Sequence, residues 1–151
     1  MQKILISACL LGEKVRFDGK SKKINAKILD VWEIENRLIL LCPEVAGGLS
    51  TPRDPAEIQA ESVVTITGAD VSHAFTHGAQ KALALCQQHD IHIAILKEGS
   101  PSCGVTQIND GNFTHTKIVG QGITAQLLQK HGIKIFSEHQ LEEAQAFLIK
   151  R

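Results

Sequence analysis

The amino-acid sequence carries no excess charge of either sign, since sixteen Lys and Arg balance sixteen Asp and Glu. A protein that binds nucleic acid by neutralising many phosphates needs a strongly basic surface. The charge balance therefore argues against a stable nucleic-acid partner of that kind. A small nucleotide ligand is compatible with it.

Long hydrophobic runs are also missing. The longest apolar stretches, such as residues 38–42, cover five residues, far short of the roughly 20 residues that a membrane-spanning helix needs. The apolar residues near the start, Ile4, Leu5 and Ile6, are too few for a secretory signal. We therefore expect a cytoplasmic protein without a membrane partner. The sequence carries no prediction of the oligomeric state.

Internal repeats, low-complexity tracts and linkers rich in Pro or Ser are absent as well, so residues 1–151 are expected to form one domain. Short, continuously apolar runs alternate with helical patterns, which is typical of a mostly parallel sheet covered by helices on both faces. The sequence thus predicts a single α/β domain of three-layer, Rossmann-like type. Strands are predicted at residues 3–8, 37–42, 63–66, 91–96 and 133–136, and helices at 25–36 and 123–131.

Three helix boundaries carry markers of their own. Asp70 is predicted to cap the N-terminus of a long helix, in which apolar positions recur every three or four residues as far as Cys86. Gly132 is predicted to take the left-handed conformation that ends a helix. Ser137 and Gln140 have the spacing of a capping box for the last helix.

Three of the four cysteines share one kind of position. Cys9, Cys42 and Cys103 each follow a predicted strand, whereas Cys86 lies on the long helix in register with its core-facing positions. Ligands of parallel α/β sheets bind beyond the carboxyl ends of the strands. We therefore expect the first three cysteines to converge at that edge and Cys86 to pack in the core.

Three converging thiols are too few for a structural zinc site, which takes four protein ligands and usually contains closely spaced Cys pairs. A 4Fe-4S cluster normally binds four Cys. With only three, one iron stays free of protein ligands and can bind a soft atom such as sulfur. Three reduced thiols that bind nothing are the simpler alternative, and the residues alone leave both open.

Distinctive motifs, most of them containing Gly or Pro, surround the three cysteines. They are Ser7-Ala8-Cys9-Leu10-Leu11-Gly12, Arg16-Phe17-Asp18-Gly19, Cys42-Pro43-Glu44, Gly47-Gly48-Leu49, Thr51-Pro52-Arg53 and Ser100-Pro101-Ser102-Cys103-Gly104. Together they resemble a small bacterial family, long described as a domain of unknown function, some of whose members are thiouracil desulfidases. The resemblance covers nearly the whole chain. Phe17 is the one departure, at a position where the family often has Tyr.

The resemblance implies an enzyme that removes sulfur from a thio-substituted nucleobase or thionucleoside, with water supplying the oxygen and no net redox change. It implies a 4Fe-4S cluster held by Cys9, Cys42 and Cys103. The acid–base pair of the family falls on Glu44 and Ser100. Glu44 stands two positions after a cluster ligand, where a carboxyl group with a raised pKa can move protons near the open iron.

Further substrate contacts are expected from Ser102, Arg53 and Arg16. Ser102 neighbours a predicted cluster ligand, and its alternative role is donation to cluster sulfur. Arg53 can orient a carbonyl or a phosphate with its planar donors, or it can pair with Asp54 or Glu57. Arg16 belongs to a basic cluster that is either a solvated face or a mouth for a nucleotide phosphate or a short RNA end. The cluster comprises Lys14, Arg16, Lys20, Lys22, Lys23 and Lys27.

Other classes of function stay open. A cluster or a set of thiols can serve a binding or redox-sensing protein without turnover, and the cysteines can simply pack within an interaction domain. Residues 120–125 match the dinucleotide pattern G-x-G-x-x-A, but that fingerprint belongs to the first βα unit of a Rossmann fold. His73 and His77 lack the Glu of a zinc-binding H-E-x-x-H helix and are expected to be exposed.

Overall fold

A computed structural model describes residues 1–150 of the chain. The strands are β1 (Ile4–Ser7), β2 (Leu38–Leu41), β3 (Ala56–Gln59), β4 (Ser62–Thr65), β5 (Ile93–Leu96), β6 (Gln107–Asn109), β7 (Lys117–Val119) and β8 (Lys134–Ser137). The helices are α1 (Lys27–Ile34), α2 (Pro43–Ala46), α3 (Ser72–Gln88), α4 (Ile123–Lys130) and α5 (Leu141–Lys150). A 3₁₀ turn at Ala8–Leu11 follows β1 directly.

Four of these strands form one parallel sheet in the order β2-β1-β5-β8. The hairpins β3-β4 and β6-β7 are antiparallel and form two further sheets of two strands each. The predicted α/β class with a mostly parallel sheet is confirmed. Within residues 1–150, none of the helices is long and apolar enough to cross a membrane.

Helices cover both faces of the parallel sheet because successive strand residues point to opposite sides. On one face, Leu5 and Leu96 belong to a core that includes Cys86 of α3 and Leu128 of α4. On the other face, the neighbouring strand residues pack with side chains of α1 and α5, among them Trp32. The molecule therefore has the three layers that the sequence predicts, and Cys86 is buried in one of the two cores.

The strand order creates a switch point beside β1. The chain passes from β1 to β2 on one side of β1, and β5 lies on the other side. Connections that leave neighbouring strands in opposite directions open a crevice at the carboxyl edge of the sheet. Cys9 and Cys42 come shortly after β1 and β2, and Cys103 lies in the loop after β5. The topology thus brings three cysteine-bearing loops to one edge.

Of the three predicted helix-boundary markers, one is confirmed and two are corrected. Asp70 is not the N-cap of α3; Val71 takes that position, and Asp70 Oδ1 accepts the N–H of Ser72 instead (2.8 Å). Gly132 has a φ of 82°, as predicted for the residue after a helix. Ser137 ends β8 and α5 begins at Leu141, so the predicted capping box does not start the last helix. The Ser137 N–H donates to Gln140 Oε1 (3.0 Å) within the turn that precedes α5.

Backbone contact between α2 and α3 fixes the position of the loop after β2. A Cβ atom on Gly78 of α3 would lie 1.9 Å from the carbonyl oxygen of Pro43, and one on Gly47 would lie 2.0 Å from that of Ala74. Neither oxygen belongs to a flexible side chain that could move aside. The two glycines therefore allow the short helix after Cys42 to rest directly on the backbone of α3.

We expect Gly78→Ala to destabilise the protein, although alanine ordinarily favours a helix over glycine by about 1 kcal/mol. The new methyl group would meet the carbonyl of Pro43, and overpacking costs about 1–3 kcal/mol or more. A net loss of about 1–2 kcal/mol in the free energy of unfolding should appear in urea titrations. Thr76→Ala, on the exposed side of the same helix, is the control. A Gly78→Ala protein that is more stable than the wild type would contradict the close approach of the Pro43 carbonyl to Gly78.

Candidate functional site

A cavity of about 430 Å³ lies at the carboxyl edge of the parallel sheet. Its volume is in the range of pockets that bind small molecules. Its walls come from the ends of β1, β2 and β5 and from both hairpins. Seven of the eight predicted site residues line it, namely Cys9, Cys42, Cys103, Glu44, Ser100, Arg53 and Arg16.

The three cysteines reach the cavity from three different local structures. Cys9 is in the 3₁₀ turn after β1, and its carbonyl accepts the N–H groups of Gly12 and Lys22. Cys42 is the N-cap of α2, and its Sγ lies 3.8 Å from the carbonyl oxygen of Val15. Cys103 is buried in the turn after Ser100. None of the three forms a disulfide.

Burial makes all three thiols difficult to ionise in the protein alone. Burial and the neighbouring Cys42 raise the pKa of Cys9 to about 11. Burial also raises the pKa of Cys42. Burial raises the pKa of Cys103 most strongly, against a hydrogen bond from Ser7 that lowers it, and Cys42 and Cys9 add to the rise. All three thiols line one cavity, where a bound metal centre would favour their thiolates.

Glu44 extends from the first turn of α2 and is fixed at both carboxylate oxygens. Arg53 Nε donates to Oε1 (3.1 Å), and Ser100 Oγ lies 3.5 Å from Oε2 as a donor. The side chain is 15% exposed. Burial raises the pKa of Glu44, while the charge and hydrogen bond of Arg53 and the hydrogen bond of Ser100 lower it. The net direction is upward, as the sequence analysis anticipated for a proton carrier.

Arg53 is held on every side by protein groups. Besides Glu44, its Nη1 donates to Ser50 O (3.0 Å) and Thr51 Oγ1 (3.2 Å), and its Nη2 donates to Val15 O (3.0 Å). Its side chain is only 9% exposed. Arg53 thus orients Glu44 within the cavity wall.

The ion-pair partners that the sequence suggested for Arg53 are engaged elsewhere. Asp54 Oδ2 accepts the hydroxyl of Thr67 (3.2 Å). Glu57 Oε1 accepts the N–H groups of Gly111 (2.9 Å) and Phe113 (3.2 Å). Glu57 therefore ties β3 to the loop of the second hairpin, which also lines the cavity.

Ser100 is oriented by the backbone of the turn that it begins. Its Oγ accepts the N–H groups of Ser102 and Cys103, both at 3.1 Å. A hydroxyl oxygen has two acceptor sites and one proton to donate. Because both acceptor sites are filled, the proton is directed to Glu44, and Ser100 links the Cys103 turn to that carboxylate.

The structure does not bring Ser102 to the cavity. Its side chain is 1% exposed, and its Oγ lies 2.7 Å from Thr124 Oγ1 at the start of α4. Its carbonyl accepts the N–H groups of Thr124 and Ala125. The turn from Ser100 to Cys103 rotates the intervening residue away from the site, so Ser102 anchors α4 rather than facing a substrate.

Arg16 is the member of the basic cluster that lines the cavity. Its Nη1 lies 3.5 Å from Asp18 Oδ2, and its guanidinium lies over the Phe17 ring, 5.7 Å from the centroid. The five lysines of the cluster are exposed. Arg16 and Phe17 therefore form part of the rim.

Several lining residues come from the second hairpin, which was not among the predicted strands. β6 and β7 have only three residues each and no extended alternation of apolar and polar positions. The Asp110-Gly111 dipeptide is a turn marker that could have indicated the hairpin. The loop supplies Phe113 and His115 to the cavity, both with positive φ.

Glu98 was also missed, and it shapes the loop that contains Ser100 and Cys103. Its Oε1 accepts the N–H groups of Val105 (2.7 Å), Thr106 (2.9 Å) and Gln107 (3.1 Å). Burial raises the pKa of Glu98, but the hydrogen bonds from Thr106, Gln107 and Val105 outweigh burial and hold that pKa below its ordinary value of 4.5. The carboxylate closes the loop into a fixed shape.

The two weaker motifs have structural explanations. Gly122 is the N-cap of α4, and a Cβ atom there would lie 2.3 Å from the carbonyl carbon of Ser102. The glycine pattern follows the antiparallel strand β7 rather than a strand of the parallel sheet, so it is not a dinucleotide-binding turn. His73 and His77 are exposed and stacked, with ring planes 3° apart.

We expect Glu98→Gln to weaken the fold by about 1–3 kcal/mol at neutral pH, because the amide cannot accept all of these bonds as a charged group. A carboxyl group whose pKa is lowered on folding stabilises the protein above its unfolded pKa, and this contribution is lost as pH falls through the folded pKa. The stability gap between the wild type and Glu98→Gln should therefore shrink as the pH falls below about 4.5. Urea unfolding between pH 7 and 3 measures it, with Glu61→Gln as the exposed control. A difference in stability that does not change with pH would contradict the role given to the ionised Glu98 carboxylate.

The sequence profile of the 2-thiouracil desulfurase family matches residues 4–140. The chain is 40% identical over 153 aligned positions to the uncharacterized protein YbbK of Bacillus subtilis (strain 168), covering 93% of this chain and 98% of YbbK. It is also similar to a solved structure described as the 4Fe-4S-dependent thiouracil desulfidase TudS, with a TM-score of 0.96, 52% identity and 99% of each chain covered. The chain belongs to the 2-thiouracil desulfurase family.

Proposed function

We propose that this protein is a 4Fe-4S-dependent desulfidase that removes sulfur from a thio-nucleobase or thionucleoside and replaces it with oxygen from water. The observation that carries the proposal is the convergence of three free thiols and a half-buried Glu44–Ser100 pair on one cavity. Membership of the 2-thiouracil desulfurase family supports it. The similar solved structure is described as carrying a 4Fe-4S cluster, which supports the choice of cofactor.

The donor set fits a cluster better than a single metal ion. Within residues 1–150, no three His, Cys, Asp or Glu side chains come close enough to hold one ion. In a 4Fe-4S cluster each thiolate binds a different iron, so the sulfur atoms can be farther apart than the ligands of a single ion. Cys9, Cys42 and Cys103 would hold the cluster, and Cys86, in the core, would take no part.

When bound by three cysteines, a 4Fe-4S cluster supplies one iron without a protein ligand, and such a soft centre takes up sulfur. The residues of the chain provide the acid–base chemistry. Glu44 accepts a proton from the water whose oxygen bonds to the carbon that carries sulfur. As the carbon–oxygen double bond forms, the carbon–sulfur bond breaks. The second proton of the water passes to the departing sulfur, which leaves as hydrosulfide, and the proton held by Glu44 passes to solvent. No electrons are gained or lost in this exchange.

The contacts of Glu44 prepare it for this role. Each of its oxygens has one protein partner, Arg53 on Oε1 and Ser100 on Oε2. A carboxylate oxygen has room for a second hydrogen bond, so either one can still accept a water molecule. Ser100 and Arg53 hold the carboxylate at a fixed angle, which is a positioning effect that lowers the entropic cost of the reaction.

The cavity also fits a flat aromatic base. Phe17, Phe113 and Ile66 contribute apolar surface to its walls, beside the polar groups at the strand ends. Aromatic side chains can stack on any nucleobase, because every base has a flat π-face. The proposed substrate therefore lies between an apolar wall and the cysteine edge, with its sulfur toward the three thiols.

Anaerobic reconstitution with iron and sulfide tests the proposal. We expect the wild type to become brown, to hold iron and acid-labile sulfide, and to release sulfide from 2-thiouracil. Cys9→Ala, Cys42→Ala and Cys103→Ala should each lose the visible absorbance and the activity, whereas Cys86→Ala, the fourth free cysteine, should keep both. A wild type that stays colourless would overturn the proposal that the protein holds a 4Fe-4S cluster. A brown protein without sulfide release from any thiopyrimidine would favour a sensing role instead.

Glu44→Gln tests the acid–base role separately from cluster binding. The amide is nearly the same size but cannot accept a proton, so sulfide release should fall about 10²–10⁴-fold while the iron content is unchanged. Glu13→Gln, an exposed carboxylate on the loop after β1, is the control. Wild-type turnover by Glu44→Gln would remove Glu44 from the mechanism. Loss of iron together with activity would instead indicate a structural role.

A further inference from the structure

Asn109 carries a buried acceptor that has no partner in the protein. Among residues 1–150, its Oδ1 is the one buried side-chain nitrogen or oxygen for which no hydrogen bond is formed. Leaving a buried polar atom unpaired costs free energy, so such groups are rare and each needs an explanation. A group that arrives with a ligand can supply the missing donor.

Asn109 is one of the residues that line the cavity. Asn109 is the last residue of β6, directly opposite Lys117 on β7, and both line the cavity together with the three cysteines and Glu44. Gly99, in the same loop as Ser100, pairs with Ile108 next to it. The amide is therefore mounted on a short strand that is joined to the catalytic loop, which limits its freedom to find another partner.

We propose that Asn109 is a specificity-determining residue whose Oδ1 accepts a ring N–H of the substrate. In 2-thiouracil the carbon that carries sulfur lies between two ring N–H groups, so a nucleobase offers a donor next to the reacting atom. An acceptor at this place selects thio-substituted bases that keep such an N–H over thio-compounds without one. The inference rests on the proposed function and names the part of the substrate that the protein recognises.

The proposal separates Asn109 from the acid–base pair. Glu44 is satisfied by Arg53 and Ser100 before any ligand arrives, whereas Asn109 Oδ1 gains its bond only on binding. A contact made equally in the bound substrate and in the transition state changes KM and leaves kcat nearly unaltered. The product keeps the same ring N–H groups, so uracil should be recognised by the same atom.

Asn109→Leu and Asn109→Asp on the reconstituted holoenzyme test the inference, because both keep the shape of the side chain and only Asp keeps an acceptor. We expect Asn109→Leu to raise KM for 2-thiouracil and the inhibition constant of uracil about tenfold, which corresponds to one lost hydrogen bond. Its kcat and iron content should stay close to those of the wild type, and its melting temperature should not fall, because an unpaired buried acceptor has been removed. Asn109→Asp should bind both compounds with nearly wild-type constants.

Asn112→Leu is the matched control, because Asn112 is exposed on the same hairpin and does not line the cavity. Unchanged KM and inhibition constants in Asn109→Leu, with a wild type that releases sulfide, would overturn the inference and leave the proposed function standing. Weaker uracil binding in Asn109→Leu, with a wild type that releases no sulfide, would support the contact and reject the desulfidase.

If Asn109→Leu fails to fold, Asn109→Ala takes its place. Equal losses of affinity for 2-thiouracil and uracil in Asn109→Asp and Asn109→Ala would overturn the role of the acceptor.

Discussion

The parallel pairing of β2, β1 and β5 is the constraint on which the site depends. Parallel strands end at the same edge of a sheet, so the loops after them must meet there. Each of these three loops begins with a short, strongly folded element, namely the 3₁₀ turn at Cys9, the helix α2 at Cys42 and the Ser100 turn before Cys103. The cysteines converge because the sheet directs them, and the short elements decide which side chains face inward.

A continuous set of polar contacts connects these loops. Val15 O, in the loop after β1, accepts from Arg53 and lies beside the thiol of Cys42. Arg53 then contacts Glu44, and Glu44 contacts Ser100, whose oxygen accepts the N–H of Cys103. The surroundings of the Cys42 and Cys103 sulfur atoms are thereby linked to one carboxylate. Such networks are worth most when every member is satisfied, and here both oxygens of Glu44 are.

The sequence predicts the parallel sheet and the cysteine edge because both follow from continuous apolar runs and from residues placed directly after them. The structure departs from the predictions where the sequence pattern that marks a feature is short or absent. The hairpin β6-β7 has three-residue strands, too short for a visible alternation of side chains. Arg53 pairs with Glu44 across an irregular loop, and no spacing rule distinguishes that carboxylate from Asp54 or Glu57. Ser102 lies between Ser100 and Cys103 in the sequence, but its side chain turns inward to Thr124.

The cavity has two walls of different origin. The cysteines, Glu44 and Ser100 stand on loops of the parallel sheet, whereas Asn109 and Phe113 stand on a hairpin outside that sheet. The loop after β5 joins the two, through the Gly99–Ile108 pairing and the bond from the Gln107 N–H to Glu98. Because the hairpin takes no part in the pairing of the parallel sheet, substitutions at Asn109 or Phe113 can reshape the cavity while the three cysteines keep their places at the strand ends.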